Sequence, residues 1–326
     1  MGDEKMTLGV AVLGTGRIVE TGYVPAFKKI DDAELVAVLS REQSRADSFA
    51  KAHKIARGYA DLDALLNDAN VDAVIVASPD ATHEPQVIAA ARAGKHILCE
   101  KPMSTTSARC KPMAEAVRQS GVTFAMGYDN RFNAGLRRIK EMMDGGEIGA
   151  VRYAHAHLTT AVSDPKNWRA AGEQSRFWAL SASGTHVIDI YRWYFGDPSH
   201  VCGVFSAPVY HGEKDEIATM VLDYPGRMMA DLTVGAVLPE SSRIELHGDK
   251  GSIFGDRVFG RSHKQAFITF NGKQFAVDQT DPFVLELRDF IDAIAEKRAP
   301  LASLEDGLRN VEIMDRAWES KSLHPL

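Results

Sequence analysis

Cysteine is scarce in this chain: three residues in 326, at Cys99, Cys110 and Cys202, with no CxxC pair and no His-rich spacing beside them. That excludes a disulfide-stapled scaffold and a zinc site built from thiolates, and it predicts reduced thiols in a cytoplasmic setting. Long apolar runs are missing as well. The longest, such as Val71–Ala77, are strand-sized, far short of the ~20 residues that span a bilayer. Met1–Met6 is short and acidic and lacks the charged-then-apolar layout of a secretion signal. Nor is there a basic excess. Lys and Arg number 38 against 44 Asp and Glu, a net charge of −6, so nucleic acid and membrane surfaces are not expected partners. No internal repeat or low-complexity tract interrupts the chain.

What is present is the balance of a globular protein, 45% hydrophobic and 25% charged. The length predicts two domains. Up to residue 127, β-branched runs (Thr7–Leu13, Glu34–Leu39, Val71–Val76, Lys95–Cys99, Val122–Ala125) alternate with helical patterns, the mark of βαβ units on a parallel sheet. One of those helices, expected over Ser107–Gln119, contains Pro112 and so has a loosely defined start. From residue 128 to 326 the texture changes to longer alternating strands (Ala150–Thr160, Glu216–Tyr224, Met228–Ala236, Arg243–His247). Turns such as Pro225–Gly226 and Gly248–Gly251 predict a large, mostly antiparallel open sheet. Helices are expected at Asn133–Met143, Thr185–Phe195, Phe283–Glu296 and Ser303–Ser320. The predicted class is α/β: a Rossmann dinucleotide-binding domain (1–127), then an α+β substrate-binding and oligomerisation domain (128–326).

Gly14-Thr15-Gly16 follows the first strand directly and opens a helix with Arg17 and Ile18, the context in which a glycine turn cradles a pyrophosphate. The third fingerprint position is Val19 rather than Gly or Ala. At the tip of the second strand an acidic residue would bind a ribose 2′-hydroxyl. Here stand Ser40 and Arg41, with Arg45 a helical turn on. A serine and arginines suit a 2′-phosphate, so NADP is expected, with NAD as the alternative if Arg41 and Arg45 are simply solvated and Glu42 takes the acidic role. Two further loops leave strand ends: Ser78-Pro79 with His83, and Glu100-Lys101-Pro102. A lysine there can hydrogen-bond a substrate hydroxyl, and desolvation lowers its pKa; a surface lysine paired with Glu100 is the competing reading.

These motifs, followed by Asn130-Arg131-Phe132, Gly184-Thr185-His186-Val187-Ile188-Asp189 and Glu245-Leu246-His247-Gly248-Asp249-Lys250-Gly251, resemble the glucose–fructose oxidoreductase/inositol dehydrogenase (Gfo/Idh/MocA) family along nearly the whole chain. The resemblance implies hydride transfer between a nicotinamide and a hydroxyl or keto carbon of a sugar, cyclitol or related polyol. It makes Lys101 the group at the reacting hydroxyl, in a Lys–Pro bond that is frequently cis in the family, and His186 the proton acceptor. Asp189, one turn on, is within reach to orient the imidazole or only to cap a buried network. The cofactor set becomes Gly14, Thr15, Gly16, Arg17, Ile18, Ser40, Arg41, Arg45, Ser78, Pro79, His83, Glu100, Lys101, Pro102 and Asn130.

One departure stands out. Many dehydrogenases of the family carry an aspartate four residues before the histidine, and here that position is Ala182. Two other readings therefore stay open: a non-catalytic nucleotide-sensing regulator, or a reductase of dihydrodiol or biliverdin type. For the substrate side, Tyr128, Arg131, Trp168 and Arg169 join Lys101 and His186; flat rings in the long segment Ala161–Ser181 suit the apolar faces of sugars. His155 and His157 share a strand face, with no third ligand marked, so no metal is expected. The open sheet predicts a homodimer or homotetramer.

Overall fold

The computed structural model describes residues 7–161 and 164–320, so the expectation for Met1–Met6 lies outside it. The chain forms two compact units. The first comprises residues up to Gly127 together with Phe283–Leu308; the second comprises Tyr128–Pro282 and the residues from Arg309 onward. The expected second block, 128–326, is thus interrupted by a segment that returns to the first unit.

In the first unit, β1 (Leu8–Leu13), β2 (Ala33–Leu39), β3 (Arg57–Tyr59), β4 (Ala73–Val76), β5 (His96–Glu100) and β6 (Phe124–Gly127) make one sheet in the order β3-β2-β1-β4-β5-β6. Every pairing is parallel. Parallel strands need crossover connections, and α1 (Val24–Phe27), α2 (Gln43–His53), α3 (Leu62–Leu66), α4 (His83–Arg92) and α5 (Ser107–Ser120) lie along them. The central strands are apolar at nearly every position because both faces are covered: all four residues of β4 and five of six in β1 are buried. Strand order reverses between β1 and β4, which opens the crevice where such sheets bind ligands.

Pro112 does not delay α5. Thr106 caps the helix by accepting from the Arg109 N–H, and the buried face of Cys110, Met113, Ala114 and Val117 holds it through the proline. The returning segment carries α8 (Pro282–Glu296). Its Phe283, Leu287, Phe290 and Ile291 sit in the same core as Val10, Val12, Ile75 and Leu98.

The second unit is built on an eight-stranded sheet, in the order β14-β13-β12-β11-β7-β10-β9-β8. The strands are β7 (Val151–Ala161), β8 (His200–Ser206), β9 (Ile217–Tyr224), β10 (Met228–Gly235), β11 (Val237–Gly248), β12 (Ser252–Asp256), β13 (Gln265–Phe270) and β14 (Lys273–Asp278). All neighbours are antiparallel except β7 and β10. Alternate residues, such as Ala218, Met220, Leu222 and Tyr224 on β9, face a core shared with Val187, Ile188, Ile190 and Tyr191 of α7 (Thr185–Phe195). α6 (Ala134–Asp144) packs near the β12–β14 end, and the last helix is α9 (Leu304–Ser320). Among the described residues, no helix is long and apolar enough to cross a membrane.

Candidate active site

The first unit gathers its polar loops at the carboxyl edge of the parallel sheet. Gly14 leaves β1 with φ +131°, and a Cβ there would lie 2.5 Å from the Ala77 carbonyl oxygen beyond β4, so only glycine lets the two strand ends pack this closely. At Gly16 the situation is the reverse. A Cβ would meet nothing within 4 Å, so the backbone borders open space at the start of a helix running from Arg17. The first N–H groups of a helix have no intrahelical acceptor. Open space beside them fits a dinucleotide pyrophosphate. Val19, where the fingerprint wants a small residue, is fully buried, and the helix widens to a π-turn over Val19–Tyr23. The wider turn makes room for the branched side chain.

At the tip of β2, Ser40 is nearly buried, and Arg41 is exposed and makes no hydrogen bond among the described residues. Arg45 reaches back from α2: its Nε donates to Thr15 Oγ1 at 2.8 Å. The β2 tip and the glycine turn are therefore one surface. On the other side of the crevice, the Ser78 hydroxyl donates to Gln86 and accepts from Thr82.

His83 and Glu100, expected at the cofactor, turn inward instead. His83 is fully buried, its Nε2 2.8 Å from the Ser78 carbonyl and its Nδ1 3.1 Å from the Pro102 carbonyl, so the ring ties the two loops together. Glu100 Oε1 accepts from the Tyr23 hydroxyl at 2.9 Å, and Glu286 of α8 lies 3.3 Å from the same hydroxyl. The other Glu100 oxygen accepts from the Lys101 backbone N–H at 3.2 Å. Lys101 is half-buried at the end of β5, and its peptide bond to Pro102 is cis. Glu100 and His83 thus fix the backbone on either side of Lys101.

In the second unit the candidate residues converge on the start of α7. A π-turn, Leu180–Gly184, leads into it. That turn is anchored by Asp215, whose carboxylate accepts from the Trp178 and Leu180 N–H groups at 2.7 Å each. Burial pushes the Asp215 carboxyl up to about 7, against the pull of those donors. His186 is half-buried, and the carboxylate near its imidazole is Asp129, Nδ1 to Oδ1 3.6 Å. Asp189 does not take that place. Its carboxylate is held by Arg131 through two hydrogen bonds, Nε to Oδ2 at 2.9 Å and Nη2 to Oδ1 at 2.7 Å, with both side chains buried. Asp189 and Arg131 are therefore a structural pair, not the imidazole partner and the substrate ligand that the sequence suggested.

Other assignments on this side change too. Tyr128 is fully buried, its hydroxyl 3.3 Å from Thr185 Oγ1, and burial pushes the phenol well above its ordinary range. It has no open face for substrate. Asn130 accepts from the Gly260 N–H and donates to the Asp129 carboxylate at 3.3 Å, which makes it a support for Asp129. In the Ala161–Ser181 segment, Phe177 and Trp178 belong to the core, whereas Trp168 is half-buried under the Arg169 guanidinium, 4.1 Å from the ring centroid. Val162 and Ser163 lie outside the described residues. Among those described, no three His, Cys, Asp or Glu side chains are grouped to hold a metal.

Two family models match the chain: an oxidoreductase family with an NAD-binding Rossmann fold over residues 8–128, and the GFO/IDH/MocA C-terminal domain over 136–254. The chain belongs to the Gfo/Idh/MocA oxidoreductase family. Inositol 2-dehydrogenase 3 of Saccharopolyspora erythraea is 30% identical over 315 residues, covering 93% of this chain and 89% of that protein. D-xylose 1-dehydrogenase (NADP+) of Haloarcula marismortui is 28% identical, covering 95% and 90%. Among solved structures, aldose-aldose oxidoreductase from Caulobacter crescentus, complexed with glycerol, superposes with a TM-score of 0.90 at 25% identity, covering 97% of each chain. An NAD(P)-binding Rossmann unit followed by an open, mostly antiparallel sheet is what the family and this structure share. Asp129 is the site residue that the sequence motifs did not single out. Its only signal was a carboxylate beside the Asn130-Arg131-Phe132 motif.

Proposed function

We propose that this Gfo/Idh/MocA protein is an NADP-preferring dehydrogenase or reductase of a sugar, cyclitol or related polyol. The observation that carries the reading is Lys101. It stands half-buried at the carboxyl end of β5, its backbone fixed by Glu100, on the edge where Gly14 and Gly16 form the phosphate cradle. The names of the relatives (inositol, xylose and aldose enzymes) supply the substrate class.

When bound, the nicotinamide exchanges a hydride with the substrate carbon. The chain does the rest. Backbone N–H groups from Thr15 to Ile18 bind the pyrophosphate. In the first unit the Lys101 ammonium is the group suited to hydrogen-bond a substrate oxygen and stabilise negative charge on it; in the second unit the His186 imidazole is the group suited to take or return a proton. Ser78, Pro79 and Pro102 shape the crevice beside the cradle. Trp168 and Arg169 are offered as a wall for the apolar face of the substrate.

NADP preference rests on Ser40 and Arg41 standing at the β2 tip with Arg45 beside them, the first acid, Glu42, coming only at the start of α2. Arg41→Ala is expected to weaken NADPH binding by about 10- to 100-fold, the worth of one charge-assisted contact, while NADH binding changes little. Titration of each cofactor into the two proteins checks this, and equal losses would remove the assignment. The catalytic reading is tested by a turnover screen of cyclitols, aldoses and ketoses with each nicotinamide cofactor. Reduced thiols at Cys99, Cys110 and Cys202 favour a cytoplasmic protein. Exposed Val204, Val221, Met229 and Phe254 on the open face of the sheet favour a homodimer or homotetramer.

A further inference from the structure

From Phe177 to Tyr191 every residue is buried except two, Ala182 and His186. They stand four residues apart, across the π-turn and the first turn of α7, and are the two positions at which this stretch opens to the surface. A carboxylate on residue 182 would sit beside the imidazole, and Ala182 offers none. Asp189, on the same helix, is turned away and occupied by Arg131. The carboxylate that does reach this opening comes from elsewhere in the chain. Asp129 is on the 3-10 turn Asp129–Phe132, its Oδ1 3.6 Å from His186 Nδ1, and both side chains keep only a small exposed area.

We propose that Asp129 is the positioning residue of His186, holding its Nδ1–H so that Nε2 is the nitrogen that accepts the substrate proton. This rests on the reading of His186 as the proton-handling group. Two features hold Asp129 in place. The Asn130 amide donates to the same Oδ1 that faces the imidazole, favouring the ionised carboxylate. The Arg131–Asp189 pair pins the turn that carries Asp129 against the helix that carries His186. At 3.6 Å the pair is an ion-pair contact rather than a hydrogen bond, and catalytic contacts of this kind often tighten only when substrate is bound. The arrangement is that of a histidine whose tautomer is set by an acidic neighbour, with the acid supplied by a segment 57 positions away in sequence rather than by the preceding helical turn.

The titratable groups on the elements packed against this stretch include Asp129 and Arg131 on the turn, Asp189 on α7, Tyr128 beside Thr185, Asp215, whose carboxylate is held by the Trp178 and Leu180 N–H groups, and Asp231 of β10, held by Tyr153 and His155. Arg131 and Asp189 offset each other, and Tyr128 stays neutral. Asp129 is the carboxylate that the described ion pairs place beside the His186 imidazole.

The test follows His186 by NMR titration of its imidazole in the protein without cofactor, alongside pH profiles of turnover. Asp129→Asn is expected to lower the imidazole pKa by roughly 1 unit. It should also cut kcat/KM about tenfold or more and move the acid limb of its pH profile down by the same amount. Ala182→Asp added to Asp129→Asn should restore the imidazole pKa and most of the rate, a rescue that a merely structural role does not allow. If Asp129→Asn does not fold, Asp129→Ser is read in the same way. An unchanged imidazole pKa and an unmoved acid limb overturn the proposal while leaving His186 in its role. Full turnover in His186→Asn overturns the reading of His186, and this proposal with it.

Discussion

Lys101→Ala is expected to lower kcat by about 10²- to 10⁴-fold, the range for loss of one positioned acid–base group, while NADPH binds within a few fold of its original affinity. The asymmetry follows from where the side chain sits. In the proposed function the dinucleotide is held by the turn at Gly14–Ile18 and the β2 tip, whereas Lys101 stands at the end of β5. Its own backbone is tied to the Glu100 carboxylate, which accepts from the buried Tyr23 hydroxyl within the unit. Truncation at Cβ therefore removes an ammonium and leaves the loop in place. Lys101→Arg should recover little, because a planar guanidinium fork does not reproduce a compact point charge on a flexible stem. Steady-state kinetics with a cofactor titration separates the effects. A kcat within threefold of the parent would take Lys101 out of the chemistry.

Arg131→Ala is expected to cost the second unit about 3–5 kcal/mol, because it leaves the Asp189 carboxylate buried without the bidentate partner that offsets its desolvation. Both side chains are almost fully buried, so water cannot take over the missing bonds. Replacing both residues with apolar ones of similar volume should be far milder, since no buried charge remains. All four tryptophans, Trp168, Trp178, Trp193 and Trp318, belong to the second unit, so denaturant unfolding followed by their fluorescence reports on that unit. A loss below about 1 kcal/mol, the worth of an exposed pair, would mean that the pair is solvated in solution. Arg131→Ala should also reduce turnover, because the same pair locks Asp129 against α7.

Much of the fold was legible because it is written in local patterns. Continuous apolar runs gave the parallel strands, and a glycine turn between strand and helix gave the cofactor cradle. The return of α8 was not legible. The apolar stripe of Phe283, Leu287, Phe290 and Ile291 shows that a helix is buried but not in which core. β8, β12, β13 and β14 were not named: β14 is largely exposed and lacks the alternation that marks a half-buried strand, and in β8 the apolar Cys202 and Val204 on the exposed face hide it.

In the site, motif spacing singled out Lys101 and His186 and set Asp189 near the imidazole, whereas the structure has Asp129 beside His186 and pairs Asp189 with Arg131. Asp189 stands one turn from His186, yet its side chain faces the interior and Arg131. Asp129 lies far from His186 in sequence, and only the packing of the 3-10 turn on α7 brings the two together. Glu100 and His83 looked like cofactor ligands because they flank Lys101 and Ser78. Their burial shows that they hold the loops that carry those residues.

The most direct measurement of the central claim is to supply nicotinamide cofactor deuterated at the transferable position, with keto forms of the polyols that turn over, and to locate the label in the product. The account predicts deuterium on the carbon that becomes the alcohol, no transfer with Lys101→Ala, and faster turnover with the phosphorylated cofactor. Tight cofactor binding with no label transferred to any sugar, cyclitol or ketose would contradict it.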